Sequence, residues 1–156
     1  RRCSSESDAS ISCDPGCFAC CRRCVRMTDQ CPHCEGPRVA MAVPESLTET
    51  DAAGLVCCGK CLRVTDCEPP ATDAEPAFET IHDRVPRGET GVVLVALLQH
   101  LDSLALNRST IESLFERLET DGVDVFLTLD RLIESSDIEP HFDLGRRREQ
   151  LESLVT

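Results

Sequence analysis

The sequence contains no tryptophan, no tyrosine and a single lysine, Lys60. It also lacks a long apolar run, since the longest, at residues 91–98, is far shorter than the roughly 20 residues that cross a bilayer. The N-terminus shows no apolar signal-peptide core. These absences argue against a membrane partner and predict a cytoplasmic protein, in which cysteines stay reduced and bind metal more often than they form disulfides.

Motifs that carry catalysis are also missing from the sequence. It has no H-E-x-x-H helix and no glycine-rich phosphate loop. His100 and Asp102 are two positions apart, which places them on different sides of a helix and argues against an acid–base pair. His141 follows Pro140 in a predicted loop, where we expect it to pack or to cap a helix. We therefore expect that the protein is not an enzyme.

Acidic residues outnumber basic ones by 28 to 16, which gives a formal net charge of −12. An acidic, lysine-poor composition is typical of a halophile's cytosolic proteins, because excess negative charge keeps them hydrated where salt screens charge. If the acidity reflects habitat, it does not exclude a nucleic-acid partner. In a protein from a low-salt cell, the same charge would argue more firmly against binding phosphate backbones.

Residues 1–26 differ from the rest of the chain. They hold six of the 12 cysteines and five arginines, with no apolar periodicity. Such a composition results when GC-rich untranslated DNA is read as codons, and Met27 then begins a chain of ordinary domain size. We predict that residues 1–26 are a disordered or mis-translated leader. The alternative is a second zinc site or an iron–sulfur site. Its ligands would be Cys17, Cys20, Cys21 and Cys24.

Two C-x2-C pairs form the most specific motif in the chain. Cys31 and Cys34 lie in "CPHC", Cys58 and Cys61 lie in "CGKC", and 23 residues separate the pairs. The spacing within each pair lets the chain turn tightly and direct both sulfurs at one point. Two such turns supply four thiolates, the closed tetrahedral set of a structural zinc. We predict one structural Zn²⁺ there, with no open position for activating water.

Other ligands and another metal remain open. Cys57 precedes Cys58 and could replace it, and Cys67 is close enough in sequence to substitute. Rubredoxins bind iron with two such turns, but they surround the metal with aromatic residues. Residues 27–68 contain no aromatic residue, which favours zinc over iron.

The elements around the motif predict an α+β fold, with a small antiparallel zinc ribbon followed by an all-α bundle of about five helices. Residues 38–44 alternate like a strand, and "LRVTD" after Cys61 is a second strand. The predicted domains are a ribbon at 27–68, a linker at 69–77 and a bundle at 78–156. The predicted helices cover about 74–85, 89–106, 107–122, 123–136 and 143–155.

Local signals mark the ends of several of these helices. The helix at 89–106 is apolar almost all round, as a central helix would be. Ser109 and Glu112 have the spacing of a capping box. Gly122 suits a helix end, and Asp124 and Asp143 suit helix starts.

The one basic cluster is Arg146, Arg147 and Arg148. Charge runs are usually solvated faces, and these arginines can pair with Glu149 and Glu152. The alternative is a contact with RNA or with phosphate. We expect a protein partner, and we keep a nucleic-acid role in transcription or translation, through the three arginines, as the alternative.

Several stretches together resemble a known group of sequences. These are "CPHC", "VAMAVPESL", "CGKCLRV", "HLDSLALNRSTIESLFE" and "EPHFDLGRRREQLESL". They are similar to an uncharacterised haloarchaeal family that pairs an N-terminal zinc ribbon with a helical C-terminal domain. The likeness covers about residues 27–156. It implies cytosolic zinc binding and a start at Met27, and it brings no catalytic residues.

Overall fold

The computed structural model describes residues 30–71 and 74–156. Over these residues the fold is α+β, as predicted, with three strands followed by four α-helices. The strands are β1 (Arg38–Ala42), β2 (Gly54–Cys58) and β3 (Val64–Cys67). The helices are α1 (Glu89–Leu101), α2 (Arg108–Thr120), α3 (Val125–Glu134) and α4 (Leu144–Val155). The predicted leader at residues 1–26 lies outside the described residues.

The sheet is antiparallel, as expected, with the strand order β1-β2-β3. Its central strand β2 is not among the predicted strands. Four of the five residues of β2 are buried, so its side chains do not alternate between apolar and polar. The period-2 pattern that reveals a half-exposed strand is therefore absent from β2.

Helix α1 is the centre of the molecule, as its apolar sequence predicts. Nine of its 13 residues are buried, and it packs against α2, β2 and β3. Val39, Met41 and Leu55 on the inner face of the sheet belong to the same hydrophobic cluster as the helices. The sheet and the helices thus share one core, whereas the predicted boundaries between ribbon, linker and bundle stay predictions.

The predicted number of helices is wrong by one, because no α-helix forms at 74–85. That segment contains only a short 3₁₀ turn, Phe78–Thr80. Pro76 and Pro86 bracket it and leave nine residues between them. A proline disfavours the helical conformation in the residue before it, and helices this short are marginal on their own. The apolar spacing of the segment reflects packing of an irregular chain.

Of the four helix-end signals in the sequence, three correspond to helix ends in the structure. The side chains of Asp124 and Asp143 each accept a hydrogen bond from the backbone amide three residues later, at 2.9 and 3.0 Å. They thereby cap α3 and α4. Gly122 ends α2 with a φ of 86°, a conformation that favours glycine. The predicted capping box at Ser109 is wrong, because α2 begins at Arg108 and Ser109 already lies inside its first turn.

The loop between β1 and β2 is fastened to α2. Leu47 in this loop is buried. The Ser113 hydroxyl donates to Glu49 at 2.7 Å, and Arg117 donates to both the carbonyl and the hydroxyl of Ser46 at 2.8 Å. The sheet is thereby held to the helices by polar contacts as well as by the core. Throughout the described ranges, no helix has the length and apolarity that crossing a bilayer requires.

Candidate metal centre

The four predicted cysteines meet at one point. Their Sγ atoms all lie within 4.8 Å of one another, and within 30–71 and 74–156 no other group of potential ligands is arranged in this way. The distance is 3.8 Å between Cys31 and Cys61 and 3.3 Å between Cys34 and Cys58. A tetrahedral ion with bonds of about 2.3 Å to sulfur sets its ligands about 3.8 Å apart. This tetrad therefore has the size that one metal ion can bridge.

The two turns that carry the cysteines repeat one backbone geometry. We call residues 31–36 the first knuckle and residues 58–63 the second knuckle. In each, the first cysteine's amide donates to the carbonyl five residues later, at 2.8 and 3.0 Å. The amide four residues later donates back to that cysteine's carbonyl, at 2.8 and 3.1 Å. Glu35 and Leu62 are the fifth residues of their respective knuckles. Their φ angles are 61° and 57°, and such positive values are uncommon for residues other than glycine.

Backbone amides also point at the sulfurs. The Sγ atom of Cys58 accepts from the amides of Lys60 and Cys61 at 3.3 and 3.4 Å. Burial alone would raise the pKa of the Cys31 thiol, but hydrogen bonds from the amides of His33 and Cys34, helped by the neighbouring thiols, lower its pKa to about 7. The first knuckle thus favours the thiolate, which is the form that binds metal.

The cysteines of the second knuckle have raised pKa values. Burial raises the pKa of Cys58, and it raises the pKa of Cys61 to about 12. A divalent ion at the tetrad would favour both thiolates and displace their protons, so metal affinity should increase with pH. The three basic residues of 30–71 are Arg38, Lys60 and Arg63. Each lies in the second knuckle or pairs with Cys58 across the sheet, where its positive charge would offset that of metal-bound thiolates.

Neither alternative cysteine joins the tetrad. Cys57 is fully buried in the hydrophobic core, and its Sγ atom lies 3.6 Å from the Cys58 carbonyl. Burial strongly raises the pKa of Cys57, so it behaves as a small apolar residue. Cys67 lies on β3 opposite Gly54, away from both knuckles. The structure therefore groups the four cysteines of the regular spacing and leaves out both substitutes.

Most of the chain matches one protein family. The model of a family of unknown function, DUF6276, matches residues 30–155. The chain belongs to this family. The match contains the whole tetrad and all four helices, and it agrees with the expected membership in an uncharacterised family. No curated protein and no solved structure matches the chain.

In this DUF6276 member the cysteine tetrad does not stand apart from the helices. The second knuckle lies against the helical half of the chain. A Cβ added to Gly59 would lie 2.6 Å from the Thr80 carbonyl oxygen. The amide of Glu139 donates to the Lys60 carbonyl at 2.7 Å, and the amide of His141 donates to the Cys61 carbonyl at 2.9 Å. The centre is thus built into the junction between the sheet and the helices.

A crevice of about 350 Å³ opens beside this junction. Its lining is mostly polar and charged. It includes Lys60, Glu79, His82, Asp83 and Asp137. His82 accepts a hydrogen bond at Nδ1 from the amide of Arg84 in its own turn, so this ring nitrogen is already occupied.

The predicted arginine cluster is partly engaged within the fold. Arg148 donates to Asp130 at 2.9 Å and to Glu152 at 2.7 Å. Its guanidinium lies 4.9 Å from the ring centre of Phe126. These contacts join α3 to α4. Arg147 donates to Gln150 at 2.8 Å, and Arg146 is exposed.

Proposed function

We propose that the four cysteines hold one structural Zn²⁺ and that the chain is a zinc ribbon with a helical interaction module, without enzymatic activity. The observation that carries this proposal is the meeting of four Sγ atoms within 4.8 Å. The described cysteines form no disulfide. A closed set of four sulfurs is typical of structural zinc, and the absence of phenylalanine, tyrosine and tryptophan from residues 27–68 supports zinc over iron.

The zinc would stabilise the fold and would not take part in a reaction. With four protein ligands the ion has no position for water or substrate. Binding of a structural zinc contributes on the order of 10 kcal/mol to the folding of small domains. Here that energy would fix two knuckles whose conformations are otherwise strained at Glu35 and Leu62.

The proposed partner is another protein. The proposed location is the cytoplasm of a haloarchaeon or a similar salt-adapted cell. The net charge of −12 opposes binding to phosphate backbones at low salt. Arg148 is engaged by two carboxylates, which leaves less of the cluster for nucleic acid. Binding of RNA or DNA that weakens steeply with salt, and that is lost when Arg146, Arg147 and Arg148 become alanine, would favour the nucleic-acid alternative instead.

Elemental analysis of purified protein tests the metal proposal. We expect about one zinc per chain, both in the full chain and in a chain that starts at Met27. Cys34→Ser should lose the zinc, because it removes one of the four ligands. Cys57→Ala is the matched control and should keep it, because Cys57 lies outside the tetrad.

Three outcomes would contradict these expectations. Wild-type protein without bound metal would overturn the zinc proposal. Two ions in the full chain and one in the chain from Met27 would overturn the prediction that residues 1–26 are a disordered or mis-translated leader. Iron in place of zinc would keep the site and change the assigned metal.

A further inference from the structure

One histidine connects the candidate metal centre to two parts of the helical half. The amide of His141 donates to the Cys61 carbonyl at 2.9 Å, and its ring Nδ1 lies 3.0 Å from the same oxygen. Its Nε2 lies 3.6 Å from the Asp102 carboxylate, which directly follows α1. The side chain is only 16% exposed. His141 therefore touches a ligand residue of the tetrad, the end of α1 and the approach to α4.

Residues next to His141 in the sequence also contact the second knuckle or pack beside it. We call residues 138–142 the docking segment. Ile138 is buried, and the Phe142 ring packs edge-on against the His141 ring at 4.8 Å. The amides of Glu139 and His141 donate to the consecutive carbonyls of Lys60 and Cys61. The second knuckle is thus hydrogen-bonded through its main chain to a segment about 80 residues later in the sequence.

We propose that His141 is a positioning residue of the metal centre. By holding the Cys61 carbonyl and contacting Asp102, it fixes the backbone that directs the Cys61 sulfur into the tetrad. Binding of metal and seating of the docking segment would then stabilise one another. This inference rests on the proposed function, since it assumes that the tetrad binds zinc.

The expected loss of zinc affinity follows from the kind of contact that His141 makes. Residues that orient metal ligands typically change metal affinity by about 10- to 100-fold. His141 contacts the main chain of a ligand residue and not its sulfur, so we expect the lower end, about tenfold. Coupling of two binding events is reciprocal. Removal of the metal should therefore loosen the docking segment by a comparable factor.

The effect of His141 on zinc affinity can be measured on the full chain by competition with a chromophoric zinc chelator. His141→Ala should bind zinc about tenfold more weakly than wild type. His141→Asn keeps a nitrogen near the position of Nδ1 and should recover part of the loss. Asp102→Asn should weaken binding less than His141→Ala. His82→Ala is the matched control and should leave affinity unchanged, because the Nδ1 of His82 bonds within its own turn.

The reciprocal effect, that of zinc on the docking segment, can be measured by hydrogen exchange of single amides. After zinc is removed with EDTA, the amides of Glu139 and His141 should exchange faster, while that of Leu97 in the buried part of α1 stays protected. A His141→Ala variant that folds and binds zinc as tightly as wild type would overturn this inference alone, as would unchanged exchange at both amides. A wild-type chain that binds no zinc would overturn the proposed function and this inference with it.

Discussion

Gly36 lies where the two knuckles approach each other closely. A Cβ at this position would lie 2.6 Å from the Lys60 Cβ, and 3.2 and 3.3 Å from the sulfurs of Cys58 and Cys34. The first distance is shorter than atoms tolerate, and the neighbour is a carbon next to the backbone of the second knuckle. Any side chain here must therefore push the knuckles apart. The absence of a side chain at Gly36 lets the four sulfurs converge.

The substitution Gly36→Ala tests this point. Overpacking at a tight site typically costs about 1–3 kcal/mol, and we expect a loss of that size in urea unfolding together with a lower zinc content. Gly145→Ala is the control, because the added Cβ would lie 3.6 Å from its nearest neighbour, the Asp143 Oδ1 atom. In helix α4 it should be neutral or slightly stabilising. A Gly36→Ala protein as stable and as zinc-rich as wild type would show that the knuckles can separate freely.

The residues of the site differ in how well the sequence predicts them. The spacing of the four cysteines is local to each knuckle, and two equal spacings predict the tetrad. The contact of His141 joins a side chain to a main-chain carbonyl far away in sequence. Every residue has a carbonyl, so no pattern of residue types marks Cys61 as the partner. Such a contact becomes visible only once the elements are packed.

At the scale of single elements, helix ends are predictable when one side chain decides them. Asp124 caps α3 through its own carboxylate, which accepts from the Leu127 amide at 2.9 Å. The start of α2 is different, because Asn107 precedes the helix without a side-chain cap. Ser109 has the right spacing to Glu112 for a capping box, but the chain is already helical there. The spacing alone cannot show which residue is first.

Alanine at these two positions should have different effects. Asp124→Ala removes a side-chain cap and should lower the free energy of unfolding by about 1 kcal/mol. Ser109→Ala should change it by less than about 0.5 kcal/mol, as is usual for surface sites that carry no cap. Urea unfolding followed by circular dichroism measures both. Equal losses for the two variants would contradict the assignment of the caps.

The attachment of the β1–β2 loop to α2 should make stability depend on pH. The hydrogen bond from Ser113, aided by the charge of Arg117, lowers the pKa of Glu49 below its ordinary value of 4.5. A group with a lowered folded pKa stabilises the protein above its unfolded pKa, and this contribution is lost as the pH falls through the folded pKa. Ionised Glu49 therefore stabilises the fold at neutral pH, and this contribution is lost as the pH falls through its lowered folded pKa.

Glu49→Gln tests this dependence, because glutamine can still accept from Ser113 but cannot titrate. The free energy of unfolding of the variant should fall less steeply than that of wild type as the pH decreases from 5 to 3. Glu112→Gln, on the exposed face of α2, controls for the loss of one charge. Parallel pH profiles for wild type and Glu49→Gln would show that Glu49 contributes nothing to the attachment.

At the scale of the whole molecule, the sheet and the helices pack together in one hydrophobic core. The proline-rich stretch at 69–77 looks like a linker between two units. The structure places the inner face of the sheet in the same hydrophobic cluster as the four helices. A strand's alternation shows that it has an apolar face, but it does not show what covers that face. The sequence therefore predicts the sheet and the helices, but it does not predict that they share one core.

A shared core predicts that the two halves unfold together. Met41 is fully buried on the inner face of the sheet, and Met41→Ala should lower the free energy of unfolding by about 2–5 kcal/mol. Loss of helix, followed by circular dichroism, should coincide with release of zinc to a chromophoric chelator, both in wild type and in the variant. Ala40→Ser, on the exposed face of the same strand, is the control and should leave both transitions in place. If zinc were released at lower denaturant while the helices stayed intact, the ribbon would unfold on its own, because the contact between sheet and α1 would then be too weak to couple them.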